Sequence, residues 1–503
     1  MLLLAELTKL NFVRPDLDLV TLYPLAVFGL LMVAALCFEL RPRPAEEDPV
    51  SASRPMAMTV SALGLIGLVA SYLLRDNHVV HTSFNAMLAD DGLSRWAGLL
   101  IAFCALLGIL SGQEELDRNK NRHGGEFVAL ILGASLGMLL MASALNSMVM
   151  FLGLELFSIA LYLLCIFFPE RATSRESGMK YFLLSSAASA VLLYGLALLY
   201  GATGTTWIME MGKSEGVNSP LALAGIVLVT CGLLFKLAVV PFHMWAPDVY
   251  EGAPTTVTAF MSVATKVAAI SALWRLTIIA NPGLADWMEY IFTGLAIVSM
   301  AFGNLMALSQ TSVKRMLAYS GVGNAGYLMV APAVGAWMQV PMMFFLTTYL
   351  FANVGAFLAL SVVERALGRD VERSDLKGLY RTHPALAGVF ALCLASLAGL
   401  PPAGGFLGKF YLFGRAVAAD IPLLAAIGIG FSLVGAAYYL STAVSLFDGR
   451  DESAVEAEEL PVVEEPGVEP PTSMTSVALA ICAAGVLLLG IVPAPFMAWL
   501  HGQ

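Results

Sequence analysis

The sequence is short of charge. Its 503 residues hold 27 lysines and arginines and 37 aspartates and glutamates, 13% charged in all, against about 25% in an ordinary soluble chain. That scarcity excludes a disordered or fibrous protein. Acids outnumber bases, and the formal net charge of −10 leaves no cationic surface for a nucleic acid, so no nucleic-acid partner is expected. Cysteine is equally sparse. Cys37, Cys104, Cys165, Cys231, Cys393 and Cys482 stand far apart inside apolar runs, with no CxxC among them. This excludes zinc and iron–sulfur ligation by local motif and leaves the thiols as small apolar groups. No P-loop occurs. GVGNAG at 321–326 formally matches the dinucleotide fingerprint, but it lacks the preceding strand and the later acidic residue, so close helix packing is the better account.

Apolar residues are abundant, at 58%. Runs of membrane length begin near Leu19, Ala57, Leu93, Phe127, Ser147, Met179 and Leu221. Others begin near Pro254, Trp287, Lys314, Val340, Pro384, Pro422 and Thr475. A bilayer needs ~20 apolar residues per crossing, so the pattern predicts an all-α polytopic membrane protein of about 14 transmembrane helices. A β-barrel is excluded because the runs are continuous rather than alternating. Glu6, Asp16 and Asp18 precede the first run without a basic start, so no cleaved signal is expected.

Basic residues sort by side. Arg41, Arg43, Arg54, Arg118, Lys120, Arg122, Arg171, Arg175, Lys180, Lys314, Arg315, Arg365, Arg369, Arg373, Lys377, Arg381 and Arg450 fall on one side of the alternating loops. Lys9, Arg14, Arg75, Arg95, Lys213, Arg275 and Arg415 fall on the other. The positive-inside rule makes the first side cytoplasmic and places both termini outside. The stretch 448–474 carries nine acidic residues with Arg450 as its one base, and reads as a solvated Pro-rich spacer between the last two helices.

Three lysines remain, all within predicted spans: Lys236, Lys266 and Lys409. A charge at the bilayer centre costs roughly 2.5–3.5 kcal/mol on insertion scales, so such residues mark ion pathways by default. Snorkelling fails for Lys236, between GIVLVTCGLLF and LAVVPF, and for Lys266, between AFMSVAT and VAAISALW; Lys409 lies nearer the end of its run. Glu155, alone in MFLGLELFSIALYLLCIFF, is their counterpart, as a structural ion pair or as a proton site tuned by its partner. Lysine, unlike arginine, can exchange its proton when desolvated. Pro241 interrupts the span of Lys236, and Pro401, Pro402, Gly404 and Gly405 interrupt that of Lys409. Paired broken helices are the best sequence pointer to a transport site. His243, just past the first break, serves either as a relay or as packing near the interface.

LLFKLAVVPFHMWAPDVYEGAPTTVTAFMSVATKVA, LELFSIALYLL, LMALSQTSVKRMLAYSGVGNAGYLMV and LAGLPPAGGFLGKFYLF together resemble the antiporter-like membrane subunits of proton-pumping NADH–quinone oxidoreductase, respiratory complex I. The resemblance runs from about 126 to 447 and is closest to members without a long carboxy-terminal extension. It implies three helices in 1–126, inverted five-helix repeats at 127–279 and 287–447, the acidic cytoplasmic loop 448–474, and a last helix in 475–503. It also implies that Glu155 and Lys236 interact, that Lys266 connects the halves, and that Lys409 completes the relay. No cofactor is expected on this chain; NADH, FMN, iron–sulfur clusters and quinone belong to other subunits. The implied partners are the other membrane subunits, including neighbouring antiporter-like ones, and the lipid of a bacterial inner membrane. Rival expectations are a subunit of a multisubunit sodium/proton antiporter or of an energy-converting hydrogenase, and a scaffold that moves no ions.

Overall fold

The computed structural model describes residues 15–40, 53–75, 79–118, 123–278, 282–448 and 471–502. Most of the acidic segment, with Lys9, Arg14, Arg41, Arg43, Lys120, Arg122 and Arg450, lies outside them. Among the described residues, twelve helices are long and apolar enough to cross a membrane. In chain order the main helices are α1 (Leu19–Glu39), α2 (Ser53–Leu74), α3 (Gly92–Arg118), α4 (Gly124–Ser143), α5 (Ser147–Cys165) and α6 (Ala172–Thr203). There follow α7 (Pro220–Leu237), α8 (Trp245–Gly252), α9 (Thr255–Ile278), α10 (Pro282–Leu308), α11 (Val313–Leu328) and α12 (Gln339–Leu367). The chain continues through α13 (Pro384–Ala398), α14 (Gly404–Ala418), α15 (Pro422–Ser445), α16 (Ser473–Ile491) and α17 (Ala494–His501). The crossings that do not meet the length test unaided are α11, prolonged by Val330–Val334, and the apolar α13 joined to α14. With these the predicted count of about fourteen holds.

Helix starts follow from capping chemistry. Asp18 accepts from the amide of Val20, Asn146 from that of Met148, and Ser312 from that of Arg315, each satisfying an N-terminal donor that the helix leaves open. Gly204 and Gly368 close α6 and α12 in the left-handed region. GVGNAG lies inside α11, as packing required. A side chain on Gly303 of α10 would strike the Gly323 amide at 2.3 Å, so these two backbones touch. The same holds for α4 and α5, where a Cβ on Gly137 would meet the Phe157 amide at 2.5 Å and one on Gly153 the Met141 amide at 2.6 Å. It holds again for α6 and α7 at Gly195 and Gly225, each 2.8 Å from the other's carbonyl oxygen by that measure.

Burial separates the helices. The apolar windows of α9 and α12 are 100% buried, whereas those of α6, α15 and α16 are 33% buried. On the side with few basic residues, Arg75, Arg95 and Arg275 are paired. A hairpin of β1 (His81–Ser83) and β2 (Leu88–Asp90) brings Asp90 to Arg75 at 2.7 Å and to Arg95 at 3.2 Å. Asp91 holds Arg275 of α9 through two 2.8 Å hydrogen bonds, while Arg275 Nε donates to the Ala142 carbonyl at the end of α4. Burial of the Asp91 carboxyl opposes ionisation, but the Arg275 guanidinium outweighs it and holds the carboxyl at about 2.

Candidate functional site

The broken helices form where Pro241 and Pro401–Pro402 stand. α7 ends at Leu237 and the chain resumes as α8 at Trp245; α13 ends at Ala398 and resumes as α14 at Gly404. Val240–Pro241 and Pro401–Pro402 are both cis. A proline cannot donate to the ladder, so carbonyls upstream are released. At the first break the Phe235 carbonyl accepts from the Trp245 indole at 2.8 Å, and that indole stacks between Phe235 and Tyr181.

Lys236 is 1% exposed. Its ammonium donates to Ser158 of α5 at 2.7 Å and to Ser185 of α6 at 2.6 Å, with the rings of Phe157 and Tyr181 at 5.1 and 5.4 Å. Hydroxyls accept from an ammonium and can donate to an amine, so this nest accommodates lysine with or without its proton. Glu155 sits three residues before Ser158 on α5, half-buried. Among the described residues no ion pair joins it to Lys236, and its Oε1 is buried without a hydrogen-bond partner. It lies one turn along α5 from Ser158, the residue whose hydroxyl accepts from Lys236.

Lys266 is buried in α9. Its Nζ donates to the Ser262 carbonyl at 3.2 Å and lies 5.8 Å from the Tyr250 ring. Gly321 of α11 leaves the space beside it, since an added Cβ there would be 3.8 Å from Lys266 Nζ. Lys409 is also buried. It donates to the Leu397 and Ala398 carbonyls at 2.8 and 3.4 Å and to Ser432 of α15 at 2.9 Å, with the Tyr327 ring 5.2 Å away. It therefore caps the released C-terminus of α13, at the negative end of that helix. His243 sits within the first break, its ring 4.5 Å from Phe302 of α10, and its Nδ1 has no partner. The structure thus brings Lys236 together with Ser158 and Ser185 rather than with His243 in a single hydrogen-bonded group.

Lys314 corrects the sequence reading. Sorted with the cytoplasmic-side bases and standing where a span is expected to begin, it is 0% exposed at the start of α11. It donates to the Ala253 carbonyl at 2.7 Å and lies 3.9 Å from Glu364 of α12, also 0% exposed. Its neighbour Arg315 stays half-exposed, paired with Asp248 and Glu251. Its place beside other polar residues at a span end gives no sign of burial; its partner is a carboxylate fifty positions away on another helix.

Buried lysines at paired helix breaks within a polytopic bundle define an antiporter-like membrane subunit, the class to which ion-translocating machines of this architecture belong. Residues 144–435 match the model of the NADH:quinone oxidoreductase/Mrp antiporter transmembrane family, and the chain belongs to that family. It is 38% identical over 449 residues to the NADH-quinone oxidoreductase subunit N of Trichlorobacter lovleyi, covering 88% of this chain and 89% of that one. Among solved structures it is similar to a chain of respiratory complex I from Thermus thermophilus, with a TM-score of 0.78, 33% identity, and coverage of 95% of this chain and 100% of that chain. The Mrp complex of a Dietzia species contains the same fold, with a TM-score of 0.79 at 20% identity and coverage of 96% and 95%.

Proposed function

We propose that this chain is the subunit-N-type membrane component of a proton-translocating NADH–quinone oxidoreductase, where it couples electron transfer from NADH to quinone with proton movement through Glu155, Lys236, Lys266 and Lys409. The observation that carries the mechanism is Lys236, a buried ammonium held by two hydroxyls at a helix break. Moving one charge against 100 mV takes ~2.3 kcal/mol, and approach or withdrawal of the Glu155 carboxylate in a low-dielectric interior alters the lysine's proton affinity on that scale. NADH, FMN, iron–sulfur clusters and quinone are held by other subunits, and neighbouring antiporter-like subunits flank this one in the membrane arm. Residues 127–279 and 287–447 act as inverted halves, each with one broken helix. The basic loops face the cytoplasm of a bacterial cell, both termini face the periplasm, and the membrane is the inner one. The 33% identity to the complex I chain, against 20% to the antiporter chain, favours this reading over a sodium/proton antiporter.

Glu155→Ala and Lys236→Ala, in complex whose assembly is verified on native gels, abolish NADH-driven acidification of inverted vesicles and slow quinone reduction. Wild-type pumping and turnover in both variants would show a scaffold. Co-purification with small antiporter subunits alone, without NADH dehydrogenase and iron–sulfur subunits, would place the chain in an antiporter.

A further inference from the structure

Among the described residues, the two helices whose apolar windows are fully buried, α9 and α12, meet along a polar seam. Buried charges are weak contributors to stability because desolvation offsets their attraction, and well-packed apolar residues in their place would serve the fold as well or better. The polar groups occur in steps. Thr255 at the start of α9 donates to Glu364 Oε2 near the end of α12. Further in, Asn353 Nδ2 donates to Ser262 Oγ at 2.7 Å. Four residues beyond on each helix stand Lys266 and Tyr349. A Cβ placed on Gly321 would be 3.8 Å from Lys266 Nζ and 3.5 Å from the Tyr349 hydroxyl, so the two groups border one space.

At the outer end of the seam Lys314 links Glu364 to the Ala253 carbonyl, between α8 and α9. From Thr255 to Lys266 the helix rises about 16 Å, too far for direct contact. Between them Thr258 donates to the Tyr250 carbonyl at 3.1 Å, and Tyr250 lies against Lys266. The Tyr250 and Tyr349 hydroxyls, Thr256 Oγ1 and Asn353 Oδ1 are all buried and have no protein partner. Buried polar atoms are rarely unsatisfied, and ordered water is the usual partner when protein supplies none. Four such atoms around one helix pair mark a path that water can occupy.

We propose that the Lys314–Glu364 pair is the entry for protons that reach Lys266 along the α9–α12 seam. This rests on the proton-translocation reading above. A proton from the side with the basic loops adds to the Glu364 carboxylate to give a carboxylic acid. The acid releases it to water held by the seam, and the neutral amine at Lys266 takes it up as an ammonium while Glu364 returns to carboxylate. No electron moves. Lys314 is a positioning residue, holding the carboxylate and the junction of α8 with α9 together.

The test uses the assembled complex in inverted membrane vesicles, with protons moved per NADH oxidised as the readout. Glu364→Gln lowers that ratio about fivefold or more, and Glu364→Asp, which keeps a titratable carboxyl, recovers at least about half of it. If Glu364→Gln fails to assemble, Asn353→Leu carries the test, because it removes the middle rung without unpairing a charge; the expected loss is about threefold. Wild-type stoichiometry in an assembled Glu364→Gln complex, or in Asn353→Leu where that variant carries the test, overturns the entry path. Lys266→Ala run in parallel separates the two failures. If it loses pumping while the seam variants do not, the path alone falls; if it pumps normally, the relay reading itself falls.

Discussion

The two broken helices carry the same ingredients, a lysine, a cis-proline break and a residue in the left-handed region, but the lysine stands before the break in one and after it in the other. At the first, Lys236 precedes the break and is held by side chains from α5 and α6, while the Phe235 carbonyl accepts from both the Ala238 amide and the Trp245 indole. At the second, Lys409 follows the break and itself takes the released Leu397 and Ala398 carbonyls. One lysine is therefore separable from the architecture of its break, and the other is part of it. In an interior that makes every buried charge expensive, the first arrangement frees the lysine to change state and the second ties its ammonium to the helix end.

Replacement of each lysine by methionine gives the sharpest test of that difference. Lys236→Met is expected to lower NADH-driven proton pumping by about tenfold or more while the thermal midpoint of the detergent-solubilised complex changes little. Lys409→Met is expected to lower both, because two carbonyls lose their donor at a cost of about 1–3 kcal/mol. Equal midpoints for the two variants would erase the distinction. The next effect is at Trp245→Phe, which keeps the stacking on Tyr181 and removes the indole donor, while the Phe235 carbonyl keeps the Ala238 amide at 3.0 Å. It should destabilise the first break by about 0.5–1.5 kcal/mol, read as a lower midpoint, and the corresponding loss at the second break belongs to Lys409. The smallest effects are at the turns. Gly399 has φ +87° and its added Cβ would sit 3.3 Å from the Lys409 side chain, so Gly399→Ala costs about 1 kcal/mol or more. Ala238 holds φ 57° without being glycine, so Ala238→Gly relieves the left-handed penalty against lost chain entropy and should fall within about 1 kcal/mol of neutral.

Spans were legible because bilayer thickness imposes a length on every crossing, and the breaks because proline acts on its own helix. Lys236, Lys266 and Lys409 were legible as buried because long apolar runs flank them. Lys314 was not, since burial of a residue beside Ser312 and Arg315 depends on Glu364 arriving from α12. The environment of Lys236 was also hidden. Ser158 and Ser185 are ordinary small helical residues in the sequence, and only the packing of α5 and α6 against α7 turns them into ligands of an ammonium. The acceptors of Lys409 are backbone atoms, which no side-chain pattern reports.

The glycine contacts at Gly137–Gly153 and Gly195–Gly225 set limits on how charge can move here. Glu155 lies two residues past Gly153, on a helix whose backbone is keyed into α4; Lys236 lies on α7, whose backbone is keyed into α6. Sliding α5 along α4, or α7 along α6, would drive main-chain atoms into one another. The gap between Glu155 and Lys236 is consequently adjustable by side-chain rotation, or by a tilt of one helix pair against the other, but not by a piston stroke of a single helix. Rotations of that kind occur in nanoseconds at exposed sites, so the pace of such a switch would be set by the hydrogen bonds Lys236 must exchange rather than by the scaffold that carries it.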